Sequence, residues 1–337
     1  AIYSRQLSVL IDAELPLIQG LNILAEHSKN KYFKRVINEV REDVEAGSTL
    51  NQAKRKFPKV FDDLFCNLVA SGEQSGSLDI MLKRLAEYLE KSVKLRSQVK
   101  QAMTYPAAIL GFSALVMIFM MWKIVPVFST IFIELGAQLP FLTQILVDSS
   151  NFVQSYILFI FLGVIAFIFL FRYVKTTESG RKIIDPLTLK IPLFGGLLEK
   201  VGLSRITRTM STLLSGGVPM LESLKITSTT AANIVIEKNI MNARIMVAEG
   251  TSLTDAFKKA GRFPFMMIQM LGVGEATGTL DAMLSKLAIF YDDEVESTVA
   301  SLLSILEPIL LIFVGLMVGI MVVSMYLPIF ELMNTVG

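Results

Sequence analysis

The sequence GEQSGSLD at residues 72–79 recurs as GEATGTLD at residues 274–281, with one Gln-to-Ala change and two exchanges of Ser for Thr. The correspondence extends in both directions, so that residues 1–110 reappear at 204–312. Matched pairs include Arg5 and Arg208, Pro16 and Pro219, Gly47 and Gly250, Phe61 and Phe263, and Pro106 and Pro308. Matches this numerous in one register indicate an internal duplication, and therefore two homologous domains.

Each copy has the pattern of a small all-helical bundle. After the repeated octapeptide, apolar residues of the first copy recur at helical spacing, at Leu78, Met81, Leu82, Leu85, Leu89 and Val93. Pro16 and Pro219 suit the first turn of a helix, where a missing N–H costs nothing. Gly47 is predicted to end a helix and Thr49 to cap the next one, with matched residues in the second copy. The alternation typical of strands is absent, so the predicted fold class is all-α.

Two interpretations of the repeated octapeptide stay open. In the structural one it is the turn of a helical hairpin, in which a glycine ends one helix, a Ser or Thr caps the next, and the glutamate satisfies backbone N–H groups at a helix N-terminus. In the functional one the turn is a docking surface for a partner protein. The candidate residues are Gly72, Glu73, Gly76, Gly274, Glu275 and Gly278.

Three uncharged stretches are long enough to cross a bilayer: Gln101–Trp122, Ser149–Phe171 and Pro308–Phe330. A helix of about 20 residues spans the hydrocarbon core, roughly 30 Å thick. The mean hydropathy of +0.56 and the 53% of hydrophobic residues agree with a chain that is partly embedded in lipid. The sequence therefore predicts a polytopic membrane protein with three transmembrane helices.

Lys and Arg residues are concentrated before the first span and after the second, at Arg84, Lys91, Lys94, Arg96, Lys100, Arg172, Lys175, Arg181 and Lys182. Between these spans lie Glu134 and Asp148, with no basic residue beyond Lys123. Because basic residues stay on the cytoplasmic side, both large domains are predicted to be cytoplasmic and the C-terminus to lie outside.

The predicted order is a first helical domain at 1–103, spans at 104–127, 151–172 and 305–330, a short outer loop at 128–150, a second helical domain at 173–304 and an outer tail at 331–337.

Composition argues against an enzyme and against nucleic-acid binding. One cysteine, Cys66, and one histidine, His27, leave no pair for a metal site or a proton relay. No Gly-x-x-x-x-Gly-Lys-Ser/Thr phosphate loop occurs. A net charge of +2 does not indicate a nucleic-acid partner. We therefore expect no catalytic residue, cofactor or metal ion.

Three residues at the span ends are candidate contacts at the membrane interface: Glu307, Pro106 and Pro308. An acidic residue beside an apolar stretch is costly at the centre of a span and much less so near its end. Glu307 is therefore either an inert interfacial residue or a contact to another membrane component.

Taken together, these features resemble the PilC/GspF family of inner-membrane platform proteins, which carry two F-type domains. The resemblance rests on the duplication, the three spans and the following residues: Arg5 to Leu7, Leu15 to Leu17, Gly20, Gly47, Leu50, Phe57, Pro58, Gly72, Glu73, Gly76 to Leu78, Tyr105 and Pro106, with Gly217 to Pro219, Gly250, Phe263, Pro264, Gly274, Glu275, Gly278 to Leu280, Glu307 and Pro308 in the second copy. Since family members carry an N-terminal extension, the chain is expected to begin partway into a longer protein.

The resemblance implies a platform in the bacterial inner membrane, at the base of a type IV pilus, with a periplasmic outer loop and C-terminus. Its implied partners are a cytoplasmic ring ATPase, pilins, inner-membrane alignment proteins and further copies of itself. The ending Leu327-Pro328-Ile329-Phe330 favours the pilus branch over type II secretion. A transporter is a distant alternative, because it would need broken or polar helices at the bilayer midplane.

Overall fold

A computed structural model describes residues 1–134, 140–192, 194–231 and 233–336 of the chain. Within these ranges every regular element is a helix and there is no strand, so the all-α prediction is confirmed. The chain divides into two compact units. Unit 1 contains Ala1–Gln98 and Lys182–Ser297, and unit 2 contains Val99–Arg181 and Thr298–Gly337.

The two copies of the duplication have matching sets of six helices. The first copy comprises α1 (Ile2–Asp12), α2 (Leu17–Glu26), α3 (Lys31–Glu45), α4 (Leu50–Arg55), α5 (Asp63–Ser75) and α6 (Leu78–Phe119). The second comprises α10 (Phe194–Ser215), α11 (Met220–Thr230), α12 (Ile234–Ala248), α13 (Leu253–Ala260), α14 (Phe265–Thr277) and α15 (Leu280–Val336). Between them lie a π-helical turn (Met120–Ile124), α7 (Val125–Glu134), α8 (Phe141–Thr176) and α9 (Glu178–Lys190).

The short helix α4 begins and ends where the local sequence predicts. Thr49 is its N-cap and forms a capping box, in which its side chain accepts from the Gln52 N–H and the Gln52 side chain accepts from the Thr49 N–H. The preceding Gly47 has φ 96°, a left-handed conformation that glycine adopts without strain. In the second copy Gly250 (φ 93°) and the N-cap Ser252 repeat this arrangement. These local predictions are confirmed, except that Pro16 and Pro219 are N-caps, one position before the first turn.

Each copy has its own buried hydrophobic cluster, and the second copy also contributes residues to the cluster of the first. Leu213, Val218 and Ile226 of the second copy belong to the buried cluster of the first. At the same boundary Ser71 Oγ donates to the Gly216 carbonyl oxygen, and Tyr88 Oη lies 3.1 Å from Thr209 Oγ1. Unit 1 is therefore a single body built from both copies.

A lysine is fully buried in the core of the first copy. Lys54 on α4 has 0% exposure, and among the described residues its Nζ has no hydrogen-bond partner. Its Nζ lies 4.4 Å from the ring centre of Phe65 and 5.2 Å from those of Tyr3 and Phe61. The equivalent residue of the second copy is Phe257, which is buried in the same way. Three aromatic faces thus replace the usual anion beside this amine.

Unit 2 contains the predicted spans. In the part of the chain that the structure describes, three helical stretches are long and apolar enough to cross a membrane: Leu78–Phe132, Phe141–Lys175 and Leu280–Pro328. The predicted third span extends two residues beyond the last of these. The three stretches indicate a multi-pass membrane protein.

The connection between the first two spans is more helical than predicted. The segment 128–150 was expected as a loop, but 128–134 belong to α7 and 141–150 to α8, while 135–139 lie outside the described residues. The outer tail predicted at 331–337 continues α15 as far as Val336, and Gly337 is not described.

Polar side chains of α8 bind backbone carbonyl groups in unit 2. Ser150 Oγ donates to the Met121 oxygen, and Gln154 Nε2 donates to the Trp122 oxygen at 3.2 Å. Both acceptors belong to the π-helical turn, where altered pairing leaves carbonyl groups available. Near the start of α8, Thr143 Oγ1 donates to the Ser324 oxygen of α15 at 2.5 Å. These bonds satisfy polar groups that would be costly to expose to lipid.

Candidate docking site

The first glycine of the repeated octapeptide permits a close approach of two helices. A Cβ at Gly72 would lie 3.0 Å from Leu78 Cα, and one at Gly274 would lie 2.9 Å from Leu280 Cα. In both cases the added Cβ would clash with a backbone atom, and a backbone atom cannot shift as easily as a flexible side chain. The octapeptide is therefore the tight turn of a helical hairpin, α5–α6 in one copy and α14–α15 in the other.

The second glycine ends the first helix of each hairpin. Gly76 (φ 68°) and Gly278 (φ 70°) adopt the left-handed conformation, and their N–H groups bond the carbonyl oxygens of Gly72 and Gly274. The next N–H in each copy bonds the same oxygen, at 3.0 Å from Ser77 and 2.9 Å from the matching threonine. This pattern is a helix C-cap that requires a positive φ.

The glutamate of each turn caps a different helix of its own domain. Glu73 Oε1 accepts from the Leu50 N–H at 2.5 Å, and its Oε2 accepts from the Asn51 N–H at 3.1 Å. These are free N–H groups in the first turn of α4, and a carboxylate there also meets the positive end of the helix dipole. The glutamate therefore joins the hairpin to α4.

The second copy repeats this cap with one further bond. Glu275 accepts from the N–H groups of Leu253 and Thr254 at 2.7 and 3.0 Å, and from Thr254 Oγ1 at 2.6 Å. Burial raises the pKa of the Glu275 carboxyl, but the bonds from Thr254 and Leu253 outweigh it and lower the pKa below its ordinary value. The structural interpretation of the glutamates thus agrees with the geometry.

The remaining side of each turn is open. Gln74, Ser75 and Gly76 are exposed in the first copy, and Ala276, Thr277 and Gly278 in the second. Exposed apolar side chains lie on neighbouring turns of the same hairpins, Ile80 at 47% and Val273 at 49% exposure. The arrangement can offer a partner two small surfaces of related shape, each held rigidly from behind by a glutamate.

An ion pair in each domain was not found from the sequence. Arg5 forms a bidentate pair with Glu90, with nitrogen–oxygen distances of 2.7 and 2.6 Å. In the second copy Arg208 bonds Asp292, which also accepts from Ser204 Oγ at 2.5 Å. Glu90 and Asp292 occupy equivalent positions in the two copies, as do Arg5 and Arg208. The ion pairs could therefore have been predicted from an acidic residue and an arginine that both recur in the duplication.

The candidate interface residues lie in unit 2. Pro106 and Pro308 are both within continuous helices, α6 and α15. Pro106 is buried, whereas Pro308 and Glu307 are exposed.

His27 lies at the end of α2, where its Nδ1 donates to the Ile23 carbonyl oxygen at 2.9 Å, as expected for an imidazole at a helix C-terminus. Among the described residues no group of three His, Cys, Asp or Glu side chains could hold a metal ion.

Comparison with known proteins identifies the family. The family model described as "Type II secretion system (T2SS), protein F" matches the chain twice, at residues 3–126 and 206–328. The chain belongs to this family. The two matches coincide with the two copies of the duplication and include both octapeptide turns and both ion pairs, so the resemblance stated from the sequence is confirmed.

Curated relatives in the T2SS protein F family match over almost the full chain. The type IV pilus assembly protein PilC of Myxococcus xanthus is 42% identical over 99% of this chain and 80% of its own length. PilC of Thermus thermophilus is 41% identical over 100% of this chain and 83% of its own. Type II secretion system protein F of Vibrio cholerae is 34% identical over 99% of this chain and 82% of its own.

Proposed function

We propose that this chain is the inner-membrane platform protein of a type IV pilus assembly machine. The observation that carries the proposal is its similarity, over almost its whole length, to proteins named for pilus assembly. Relatives named for type II secretion match over the same length at lower identity, 34% against 42%. A platform of a secretion system is accordingly the second candidate.

In this role the chain couples a cytoplasmic ring ATPase to the insertion or extraction of pilins. The energy comes from the ATPase, because the sequence has no phosphate loop of its own. Pilins, alignment proteins of the inner membrane and further copies of the chain are the other partners. Unit 2 provides the membrane-spanning helices and unit 1 the surface for the motor.

The test is to identify what co-purifies with the chain from gently solubilised native membranes, by mass spectrometry. Recovery of a pilus-assembly ATPase together with pilins supports the pilus platform. Recovery of a secretion ATPase with pseudopilins selects the second candidate. Absence of any motor, together with solute-dependent flux in liposomes, favours the transporter instead.

Within this proposal, the exposed side of the octapeptide turns contacts the ATPase. Both carboxylate oxygens of Glu73 and Glu275 are occupied by helix α4 or α13, so these glutamates position the turn rather than meet the partner. The surface is formed by Gln74 and Ala276, which occupy equivalent exposed positions in the two hairpins.

Charge substitutions on the turns test this contact. We expect Gln74→Arg and Ala276→Arg each to weaken capture of the ATPase at least tenfold, because a long charged side chain blocks the turn. Gln269→Arg is the matched control, since Gln269 is exposed two helical turns earlier on α14. If Ala276→Arg and Gln74→Arg bind the motor like Gln269→Arg, the turns are not the docking surface and the octapeptide is purely structural.

The proposed orientation places unit 1 in the cytoplasm and the connection between the first two spans in the periplasm. Cys66 is buried, so an introduced cysteine can be labelled against a low background. We expect a membrane-impermeant maleimide to label Phe141→Cys in intact cells and Lys59→Cys, at an exposed position of unit 1, only after lysis. The reverse pattern would show that the chain is inserted the other way.

A further inference from the structure

A polar cavity lies within unit 1, between the two copies of the duplication. Its volume of about 210 Å³ is many times the ~10–15 Å³ that holds one water by the same measure. One wall is formed by α6 of the first copy and the other by α10 and α15 of the second. The residues that matter for its chemistry are Arg84, Glu87, Lys91, Arg208, Ser211 and Ser285.

The charges around this cavity favour an anion. Three cationic side chains line it against one carboxylate, that of Glu87. The charge of Arg208 is balanced by its ion pair with Asp292. Arg84 and Lys91 are therefore the cations that could bind an anion in the cavity. The Arg84 atom Nη1 is buried, and it has no hydrogen-bond partner among the described residues. A buried guanidinium N–H without an acceptor is costly, and an oxyanion in the cavity would supply that acceptor.

The hydroxyl groups add donors at the same place. Ser285 is exposed at the cavity and makes no hydrogen bond to a described residue, so its O–H is available to a ligand. Ser211 already donates to the Asp281 carbonyl oxygen at 2.9 Å, and it borders the cavity without offering a proton. Arg84, Lys91 and Ser285 thus offer donors of the kind that bind the several oxygens of a phosphoryl group.

Part of this polar set is not shared by the two copies of the duplication. In the duplication Tyr88 and Lys91 correspond to Phe290 and Asp293, and Glu87 corresponds to Ile289. On α1, the positions equivalent to Thr212 and Ser215 of the cavity wall are Val9 and Asp12. Two copies of one domain therefore keep the same helices with apolar or acidic residues at these positions. Arg84 and Ser211 are matched by Lys286 and Ser8, so a cation and a serine recur at those two positions. What is particular to this cavity is the addition of Lys91, Thr212 and Ser215 to them.

We propose that the cavity binds a phosphoryl oxyanion, either free orthophosphate or the phosphate group of a nucleotide. Its oxygens accept from Arg84, Lys91 and Ser285, and the ligand bridges α6 of the first copy to α10 and α15 of the second. Binding stabilises the contact between the copies, since a ligand that binds only the folded state raises its stability. The inference does not depend on the proposed function.

The test is a thermal titration of the full chain in neutral detergent at constant ionic strength. The ligands are orthophosphate, AMP and succinate, with chloride as the balancing anion. We expect orthophosphate or AMP to raise the unfolding temperature in a saturable way and chloride to have no effect. Tighter binding of AMP identifies a nucleotide as the ligand, and equal or tighter binding of orthophosphate identifies the free anion.

Variants connect the effect to the cavity. Arg84→Gln and Ser285→Asp are each expected to weaken phosphate binding at least tenfold. The first removes a cation from the cavity, and the second adds a negative charge at an exposed position, where the new carboxylate stays hydrated and the fold is not disturbed. Lys83→Gln and Ser285→Asn are the matched controls, since Lys83 is exposed on the same helix and is not part of the cavity lining. The proposal is overturned if neither phosphate ligand gives a saturable shift, if succinate binds as tightly, or if Arg84→Gln and Ser285→Asp bind phosphate like their controls.

Discussion

At the scale of single residues, the core of the first copy contains a buried lysine, Lys54, at the position where the second copy has the phenylalanine Phe257. Burial lowers the pKa of the Lys54 amine to about 7, from an ordinary value of 10.5. The faces of Tyr3, Phe61 and Phe65 recover part of the cost of desolvating the charge, up to about 2 kcal/mol for a desolvated contact. Phe257, at the equivalent position, has no such cost.

Replacing Lys54 by Met is therefore expected to stabilise the protein at pH 6. The native state no longer holds an unpaired buried cation, and the gain is on the order of 1–4 kcal/mol by analogy with replaced buried ion pairs. The measurement is the unfolding temperature of the solubilised chain. Lys59→Met is the control, since Lys59 is exposed and its replacement should change the unfolding temperature little. A lower unfolding temperature for Lys54→Met than for the control would contradict this account.

The same lysine predicts a dependence of stability on pH. Between pH 7 and 10.5 the unfolded state binds a proton at Lys54 that the folded state has released, so stability rises with pH across this window. Below pH 7 both states are protonated and the cost is fully present. The rise should be smaller in Lys54→Met than in the unmodified chain, and equal slopes for the two would rule out this residue as the cause.

A second residue-scale prediction concerns the cap made by Glu275. Glu275→Gln removes a charged acceptor from the N-terminus of α13 and turns amide hydrogens toward its N–H groups, which should cost about 1–2 kcal/mol. Folding lowers the pKa of the Glu275 carboxyl. Its contribution to the free energy of unfolding is therefore present above pH 4.5, its ordinary pKa, and is lost as the pH falls below that value. Unfolding of the variant and the parent at pH 7 and pH 4 checks this, and the difference between them should shrink at the lower pH.

At the scale of elements, the hairpins depend on glycines where the helices approach each other. Gly274→Ala would bring a methyl group to 2.9 Å from a backbone atom of α15, so the hairpin must open, at a cost of about 1–3 kcal/mol. Gly196→Ala is the matched control. Gly196 is a helical glycine with no atom within 4 Å of an added Cβ, and alanine there should stabilise α10 by up to about 1 kcal/mol. Opposite signs for the two variants in thermal unfolding are expected, and equal effects would exclude the close approach as the reason for Gly274.

At the scale of the whole molecule, unit 1 depends on the boundary between its two copies. A Cβ at Gly216 would lie 2.7 Å from Leu68 Cδ2 and 3.2 Å from Met81 Sδ, two residues of the first copy. Gly216→Val is expected to separate the copies and also to strain the C-terminal end of α10, because the added Cβ would lie 3.2 Å from the Thr212 carbonyl oxygen. Hydrogen exchange measured by mass spectrometry should then show increased exchange in α5 and α10, while α3 and α12 stay protected. Increased exchange confined to α10 would mean that the substitution strains only the end of that helix and that the boundary between the copies does not depend on Gly216.

Some features of the site were predictable from the chain and others were not. The helical hairpin, the caps at Thr49 and Ser252 and the glycine ends are encoded within a few consecutive residues, which is why they were anticipated correctly. The helical parts of the segment 128–150 were not anticipated, because Gly136 and Pro140 are turn signals in the middle of the segment and suggested a loop throughout. The partner of Glu73 is more than 20 residues away along the chain, so no local pattern identifies it.

The sequence alone determined the duplication, the all-helical class, the three apolar spans and the family, because these depend on periodicity, composition and repeated order along the chain. Only the tertiary structure decided that residues of the second copy complete the core of the first, that Lys54 is enclosed by three aromatic rings and that a polar cavity opens between α6, α10 and α15. These features join residues far apart in the chain, such as Ser71 and Gly216, whose separation is 145 positions. Which distant surfaces meet is set by packing, and the helical periodicity of a segment carries no record of its partner.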